Sequence, residues 1–176
     1  LFRSDLIAVS AHKRGGPPGI GALFAREFGV IKPTGGQEFG YRAGTENLPG
    51  ALGFAAAVEV PEDLNKASAL RARLEEALTG CEIIGDGNSR SPLIGAYRMP
   101  GVSSATQLIR FDMAGFAVSA GSACSSGSMR PSHVLAAMGL AEPALSEVVR
   151  VSFGRGTTEA EIDAFAAKWR EIAASK

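Results

Sequence analysis

Short apolar segments separated by glycine and proline make up the first third of the chain. Residues 5–10 form an apolar run with β-branched residues, which predicts a buried strand. Residues 20–25 and 30–32 predict two further strands, since glycine or proline borders each of them. Residues 35–44 contain too many glycines for regular structure and predict a shaped loop, and the very apolar residues 52–60 predict a helix.

A change of pattern near Pro61 predicts a soft domain boundary. Between residues 64 and 78, apolar residues recur at intervals of three and four with charges between them. This is the pattern of an amphipathic helix, which we expect Gly80 to end. The change divides the chain into expected domains at residues 1–61 and 62–176.

The pattern of the second domain predicts a smaller α+β unit. Its expected strands are residues 81–85, 93–99, 116–119 and 148–153, and its expected helices are residues 104–113, 132–138 and 159–174. The last helix has a start signal, because Thr158 can cap it while Glu161 reaches back in a capping box.

Composition excludes several classes of function. The chain has 176 residues, 45% of them hydrophobic, so it can bury a core. Its 18 Lys plus Arg balance 18 Asp plus Glu, and we expect no nucleic-acid partner because no net field attracts polyanions. No apolar stretch approaches the roughly 18 residues that span a bilayer, so we expect no membrane partner. Two cysteines are too few for a disulfide framework, which makes a reducing cytoplasm the expected compartment and thiol chemistry their expected use.

A candidate ligand site follows the first predicted strand. Residues 10–23 read S-A-H-K-R-G-G-P-P-G-I-G-A-L and place a hydroxyl, an imidazole and an amine at the strand end. Ligand groups gather at strand ends in α/β folds, and glycine lets a backbone approach a ligand closely. Ser10 and His12 can hydrogen-bond phosphate oxygens, and Lys13 can form an imine. Spacing alone leaves a solvated surface lysine as the alternative.

This segment closely resembles the cofactor-lysine motif of cysteine desulfurases, which belong to the class V aminotransferase group of fold type I enzymes. The resemblance implies pyridoxal 5'-phosphate as the cofactor, Lys13 as the Schiff-base lysine, and Ser10 and His12 as phosphate ligands. It also implies the α/β fold class of these enzymes, with the chain as the C-terminal portion of one of them. Residues 1–61 would then end the large cofactor-binding domain, and residues 62–176 would form the small α+β domain with the cysteine loop.

A second glycine-rich segment resembles another motif of the family. Residues 35–50 read G-G-Q-E-F-G-Y-R-A-G-T-E-N-L-P-G and match its R-x-G-T-x-N segment. The resemblance implies a homodimer, in which this loop crosses the interface and Thr45 contributes to the phosphate site of the neighbouring subunit. A glycine-dense loop is costly to order without a ligand or partner, which favours the dimer over an ordinary surface loop.

A third motif surrounds one of the two cysteines. Residues 119–135 read S-A-G-S-A-C-S-S-G-S-M-R-P-S-H-V-L, so Cys124 lies in a run of small residues without periodicity. Such a loop suits a thiol that meets a substrate and then an acceptor, whereas Cys81 begins a predicted strand and fits a structural cysteine. The segment resembles the cysteine loop of group I desulfurases, which implies Cys124 as the sulfur-accepting nucleophile. His133 begins a predicted helix, and nothing in the sequence directs it at Cys124.

The last predicted strand contains an arginine. Arg150 alternates with Val149 and Val151, which should face the other way. A carboxylate clamp needs such a permanently charged fork, although a surface salt bridge is the plain alternative. The resemblance favours the clamp and implies that Arg150 binds the α-carboxylate of the substrate, with Arg155 as a weaker candidate.

Together the motifs resemble those of one enzyme. The resemblance implies conversion of L-cysteine to L-alanine, with the sulfur left as a persulfide on Cys124 and collected by a sulfur-acceptor or iron-sulfur scaffold protein. We expect no metal site. Two alternatives stay open. One is a selenocysteine lyase or related class V enzyme, against which the serine-rich loop argues, and the other is a non-catalytic dimerisation module that lacks the N-terminal half of the cofactor site.

Overall fold

A computed structural model describes residues 3–121 and 131–175 of the chain. The chain forms two compact units, Leu1–Glu62 and Asp63–Lys176, termed the first unit and the second unit. The border between them adjoins Pro61, where the hydropathy pattern changes. Within the described ranges, no helix combines the length and hydropathy that a bilayer-spanning segment needs.

The first unit contains an antiparallel hairpin. Strand β1 spans Leu6–Ser10 and strand β2 spans Gly21–Ala25, with Leu6 opposite Ala25 and Ser10 opposite Gly21. The sequence predicts both strands, and their places in the chain are confirmed. The burial predicted for the first strand is wrong, because four of the five residues of β1 are exposed and the fifth is half-buried.

The strand predicted at residues 30–32 is wrong. Phe28–Val30 form a 3₁₀ turn instead, and Ile31 N–H donates to Phe28 O at 2.9 Å. Such a turn bond uses an amide that a strand would offer to its neighbour, and Pro33 has no amide hydrogen to donate. The apolar residues of this segment therefore belong to a turn and not to a third strand.

Both faces of the hairpin are apolar and exposed. Ile7 and Phe24 lie opposite each other on one face, and Phe24 is 60% exposed. Leu6 and Leu23 lie on the other face, and Leu23 is 53% exposed. Strands that are apolar on both faces are typical of a sheet that is covered on both sides. The described residues of the first unit leave much of both faces open.

Helix α1 spans Leu48–Glu59 and begins before residue 52, where hydropathy predicts its start. Asn47 caps the helix, because its Oδ1 accepts a hydrogen bond from Gly50 N–H at 3.0 Å. Pro49 is tolerated in the first turn, where no helical acceptor needs its missing amide hydrogen. This start signal lies within the glycine-rich segment, where apolar periodicity gives no indication of a helix.

The second unit contains, among the described residues, a four-stranded antiparallel sheet and four α-helices. The helices are α2 at Leu64–Ala77, α3 at Ser104–Asp112, α4 at His133–Ala137 and α5 at Glu159–Ala174. The strands are β3 at Glu82–Ile83, β4 at Ile94–Arg98, β5 at Ser119–Ala120 and β6 at Val148–Ser152, in the sheet order β3-β4-β6-β5. All these elements are predicted by the sequence, but α2 ends before Gly80, and β5 starts at the last residue of its predicted range.

The core of the second unit lies between one face of this sheet and the helices. Trp169 of α5 and Tyr97 of β4 are fully buried, with ring centroids 6.4 Å apart. Phe111 of α3 stacks on Phe165 of α5 at 4.6 Å. Aromatic pairs at such distances add about 0.5–1.5 kcal/mol each to the effect of burying apolar area. One face of the sheet is thus committed to the core.

The capping box predicted at the start of α5 is confirmed. Glu161 N–H donates to Thr158 Oγ1 at 3.3 Å, and Thr158 N–H donates to Glu161 Oε2 at 2.8 Å. The hydrogen bonds that its carboxylate accepts from Thr158 hold the pKa of Glu161 below its usual value.

A buried carboxylate ties β4, α3 and β6 together. Glu147 is 6% exposed, and its carboxylate accepts hydrogen bonds from Arg98 Nε and from Gly101 N–H, each at 2.8 Å. Its carbonyl oxygen accepts a hydrogen bond from Gln107 Nε2 at 2.8 Å. The residue before β6 is therefore held both to the end of β4 and to α3.

We expect Glu147→Ala to lower the free energy of unfolding by about 3 kcal/mol, because it leaves Gly101 N–H without its acceptor and Arg98 with one carboxylate fewer. Arg98 also pairs with the exposed Glu82 at 2.8 Å, so Glu82→Ala is a matched control that should cost less than about 1 kcal/mol. Urea unfolding followed by the fluorescence of Trp169 measures both losses. Equal losses would contradict the importance of the buried carboxylate.

Candidate functional site

The lysine loop, residues 10–21, joins β1 to β2. Ala11–Arg14 form a 3₁₀ turn that ends at Gly15 with a φ of 83°, in the left-handed region that favours glycine. Gly16 N–H then donates to Ala11 O at 2.9 Å. The backbone of the loop is thus held by a hydrogen bond of its own.

Helix α1 packs against the lysine loop through small residues. A Cβ added to Gly16 would lie 3.1 Å from Ala11 Cβ and 3.3 Å from Ala57 Cβ. A Cβ added to Gly53 would lie 3.0 Å from Pro17 Cγ. Glycine at both positions therefore permits an approach of helix and loop that a larger residue would disturb.

Arg14 and Lys13 are neighbours in the 3₁₀ turn, but their side chains have different surroundings. Arg14 forms an ion pair with Glu62, so it fastens the turn. Lys13, Ser10 and His12 are exposed, and none of the three forms an ion pair or a side-chain hydrogen bond with another described residue. The predicted placement of these three groups at a strand end is confirmed, while their roles stay predictions. The first unit thus presents a hydroxyl, an imidazole and an amine to a ligand.

The glycine-rich loop before α1 is irregular, as predicted. A bridge pairs Gln37 with Arg42, and Phe39 at the tip between them is 96% exposed. Thr45 is exposed and lies two residues before Asn47, the cap of α1. The role of Thr45 at the phosphate site of a neighbouring subunit stays a prediction.

Arg150 lies in the middle of β6, between two neighbouring strands. It is opposite Ala96 of β4 and opposite Ser119 of β5. Val149 and Val151 are buried in the core, so the prediction that they face away from Arg150 is confirmed. Arg150 itself is half-buried on the face of the sheet that is not committed to the core.

Four other arginines of the second unit pair with carboxylates. Arg98, on the same face of the sheet as Arg150, pairs with Glu82 and Glu147, and the remaining three are Arg71, Arg73 and Arg90. Arg150 forms no ion pair and no side-chain hydrogen bond with any residue that the structure describes. The surface salt bridge considered as its alternative role is therefore not found there. No described residue occupies the fork of Arg150, so within the described ranges it is open to an external carboxylate.

Cys124, the predicted nucleophile, lies outside the described residues. The nearest described residues on either side, Gly121 and Pro131, line one pocket of about 120 Å³ together with the first turn of α3. Gly121 directly follows β5, in which Ser119 is the cross-strand neighbour of Arg150. Gly121, the last described residue before the segment that contains Cys124, is therefore two residues along the chain from the cross-strand neighbour of Arg150.

Cys81 has the properties of a structural cysteine, as predicted. Its half-buried side chain packs against the core. Burial, together with the smaller effects of the charges of Glu75 and Glu82, raises the pKa of its thiol to about 12. A thiol with such a pKa holds almost no thiolate at neutral pH, so Cys81 is a poor nucleophile.

We expect iodoacetamide to alkylate Cys81 very slowly, since a pKa of about 12 leaves roughly one thiol in 10⁴ ionised at about pH 8. Glu75→Gln removes one charge that raises this pKa and should speed the labelling, whereas Glu76→Gln, at the exposed neighbouring position, should not. Mass spectrometry of the peptide with Cys81 gives the rates. Rapid labelling of the native chain near neutral pH would show that the thiol is not protected.

The structure adds two residues to which no sequence motif assigns a role, Glu147 and Ser119, and it adds no support for a role of His133 or Arg155. A buried carboxylate such as Glu147 carries no motif, and the position of Ser119 opposite Arg150 depends on strand register. His133 begins α4 and is exposed. Arg155 is exposed, its carbonyl oxygen accepts a hydrogen bond from Lys66 Nζ at 3.3 Å, and its role as a weaker clamp stays a prediction.

Comparison with known proteins gives a family and several relatives. The family model described as aminotransferase class-V matches residues 2–165. A cysteine desulfurase of Gluconacetobacter diazotrophicus is 39% identical over 171 residues, which cover 90% of this chain and 43% of that protein. A cysteine desulfurase of Rhodobacter capsulatus is 39% identical over 181 residues, which cover 97% of this chain and 47% of that protein.

Solved structures contain the same arrangement of elements. A NifS-like protein superposes with a TM-score of 0.82 at 31% identity, over 99% of this chain and 47% of that chain. A NifS-like protein from Rickettsia africae gives a TM-score of 0.77 at 30% identity, over 96% of this chain and 47% of that chain. The chain therefore spans less than half the length of the relatives that it matches.

Proposed function

Because this chain belongs to the aminotransferase class-V family, we propose that it forms the C-terminal part of a cysteine desulfurase, which converts L-cysteine to L-alanine and transfers the sulfur to Cys124. Its α/β fold is the fold type I arrangement of NifS-like proteins. The observation that carries the proposal is that the guanidinium of Arg150 has no ion-pair or hydrogen-bond partner among the described residues, on a strand next to β5, which precedes Cys124 in the chain.

The lysine loop fits pyridoxal 5'-phosphate, the cofactor on which this family depends. Ser10 and His12 offer hydrogen-bond donors to a phosphate, Lys13 offers an amine, and none of these side chains is engaged by another described residue. Lys13 would hold the cofactor covalently through Nζ, and Thr45 of a second subunit would add a phosphate contact in a homodimer. When bound, pyridoxal phosphate withdraws electrons from Cα of the amino acid.

The remaining steps fall to side chains. Arg150 would bind the α-carboxylate of L-cysteine, because a planar guanidinium matches both carboxylate oxygens. Lys13 Nζ would accept the proton from Cα. Cys124, as thiolate, would attack the substrate sulfur, so that an S–S bond forms, the Cβ–S bond breaks and its electron pair stays with Cβ. One proton is then added at Cβ, and Lys13 Nζ returns its proton to Cα, which gives L-alanine. The sulfur would stay on Cys124 as a persulfide until a sulfur-acceptor or iron-sulfur scaffold protein of the cytoplasm takes it.

Three measurements on one sample test the proposal. The purified chain is mixed with pyridoxal phosphate and L-cysteine, and we expect visible absorbance of bound cofactor, L-alanine in amounts equal to the sulfur transferred, and one extra sulfur on the peptide with Cys124. The same reaction with L-selenocysteine tests the selenocysteine lyase alternative. Alanine formation from selenocysteine alone would contradict a cysteine desulfurase.

A non-catalytic module is a second candidate, and one observation favours it. Both faces of the β1–β2 hairpin are exposed, and so is Lys13 beside it. A chain in this state can lack contacts that retain the cofactor. A chain that stays colourless with pyridoxal phosphate and transfers no sulfur would support this second candidate.

A further inference from the structure

A serine stands beside the candidate carboxylate clamp. Ser119 of β5 lies opposite Arg150 of β6 in an antiparallel register, which places their Cβ atoms about 4.5–5.5 Å apart on one face of the sheet. Ala120, the next residue of β5, packs against the core on the other face. The side chains of Ser119 and Arg150 therefore lie next to each other on the same face of the sheet.

Both groups lack a side-chain partner in the part of the chain that the structure describes. Ser119 is exposed and, like Arg150, forms no side-chain hydrogen bond with another residue that the structure describes. Other serines of this unit are engaged. Ser103 Oγ accepts a hydrogen bond from Thr106 N–H at 3.2 Å, and Ser146 Oγ donates to Pro143 O at 2.9 Å.

The nearby charges favour the binding of an anion at Arg150 over binding at Arg98. Arg98, the other arginine on this face, lies diagonally from Arg150 across the β4–β6 pair, and Glu82 and Glu147 compensate its charge. Neither cross-strand neighbour of Arg150 is acidic. A carboxylate that reaches this face therefore meets a guanidinium that no described residue compensates, with a hydroxyl next to it.

We propose that Ser119 is a second binding residue for the α-carboxylate of the substrate. A carboxylate offers about four lone-pair sites, so it can accept two N–H bonds from Arg150 and one O–H bond from Ser119. The inference rests on the proposed function, which supplies an amino-acid substrate. It adds a selectivity: the pair distinguishes L-cysteine from cysteamine, which has the same thiol and amine but no carboxylate.

The inference is tested by titrating the ¹⁵N-labelled chain with L-alanine, which has the carboxylate, and with ethylamine, which does not. We expect L-alanine alone to shift the Nε–Hε resonance of Arg150. Ser119→Ala should weaken L-alanine binding about tenfold, because one hydrogen bond to a charged group is lost, and Ser119→Thr should restore most of it. Ser152→Ala is the matched control, since Ser152 is exposed on the same face of β6 two residues from Arg150, and it should bind L-alanine like the parent chain.

Turnover gives a second, independent measurement. In the active protein, Ser119→Ala should raise KM for L-cysteine and leave kcat nearly unchanged, since it removes a binding contact remote from the breaking C–S bond. Its preference for L-cysteine over cysteamine should fall by the same factor. A loss of kcat at constant KM would overturn this role.

Failure of the inference differs from failure of the proposed function. If Ser119→Ala binds L-alanine like the parent chain while Arg150→Met does not bind it, Ser119 has no such role and the clamp stands. If Arg150→Met binds L-alanine as tightly as the parent chain, or the parent chain does not bind it, the clamp is wrong and both proposals fall.

Discussion

Replacing Cys124 by serine should abolish persulfide formation and leave the visible absorbance of the bound cofactor unchanged. A hydroxyl cannot form the S–S bond that retains the sulfur, so we expect sulfur transfer to fall by more than about 10³-fold. Cys81 cannot take over, because burial raises the pKa of its thiol to about 12 and leaves it protonated. Sulfide released by a reductant after incubation with L-cysteine, together with the mass of the peptide around residue 124, measures the effect.

Cys81→Ser is the matched control for this experiment. It removes the other thiol of the chain and should leave sulfur transfer close to that of the parent chain. Undiminished sulfur release by Cys124→Ser, or an equal loss in both variants, would remove Cys124 from the mechanism.

Arg150→Met should lower kcat/KM for L-cysteine by about 10²- to 10³-fold, equivalent to roughly 3–4 kcal/mol of binding and positioning energy. Methionine keeps much of the length and apolar stem of the side chain but removes the fork that matches a carboxylate. Arg150→Lys keeps the positive charge but lacks the planar guanidinium. Its kcat/KM should therefore lie between that of the parent chain and that of Arg150→Met. Initial rates of alanine formation over a range of L-cysteine concentrations give kcat and KM.

Arg73→Met is the control for the loss of an arginine. Arg73 lies on α2, and its Nε pairs with Asp163 Oδ1 at 2.7 Å, so its charge is compensated within the chain. Its removal should leave kcat/KM unchanged. If Arg150→Met retains full activity, or Arg73→Met loses as much, the carboxylate clamp is wrong.

Helix α5 illustrates what can be predicted from neighbouring letters alone. Its buried residues Ile162, Phe165 and Trp169 recur at intervals of three and four, and Thr158 and Glu161 mark its start. Both signals act between residues within one or two turns of each other, which is the range over which helix propensity and capping operate. Its predicted bounds are therefore the observed ones.

The first unit is predicted less well for a physical reason. Helix α1 is apolar on much of its surface, so it has little periodicity, and its cap at Asn47 is set within a glycine-rich loop. The hydropathy of residues 30–32 predicts a strand, but Val30 is the last residue of a 3₁₀ turn at Phe28–Val30, and no strand follows it there. Apolar content indicates burial without choosing between strand, turn and helix.

Most residues of the candidate site can be identified from sequence motifs. Ser10, His12 and Lys13 stand at the end of a strand as predicted, and Arg150 faces away from the core as predicted. The role of Cys124 stays a prediction because it lies outside the described residues. Motifs identify these residues because each motif is a short run of neighbouring residues, which can be recognised without knowing the fold.

Hydropathy, capping signals and four short motifs are thus enough to establish the α/β class, most of the elements and the resemblance to the desulfurases. They leave open which charges are compensated and which side chains meet across the sheet. The fold shows that Arg98 has two carboxylate partners while Arg150 has none among the described residues, and that Ser119 is opposite Arg150. These facts depend on strand register and on pairing between residues far apart in the chain, where a shift of one residue would turn every side chain to the other face.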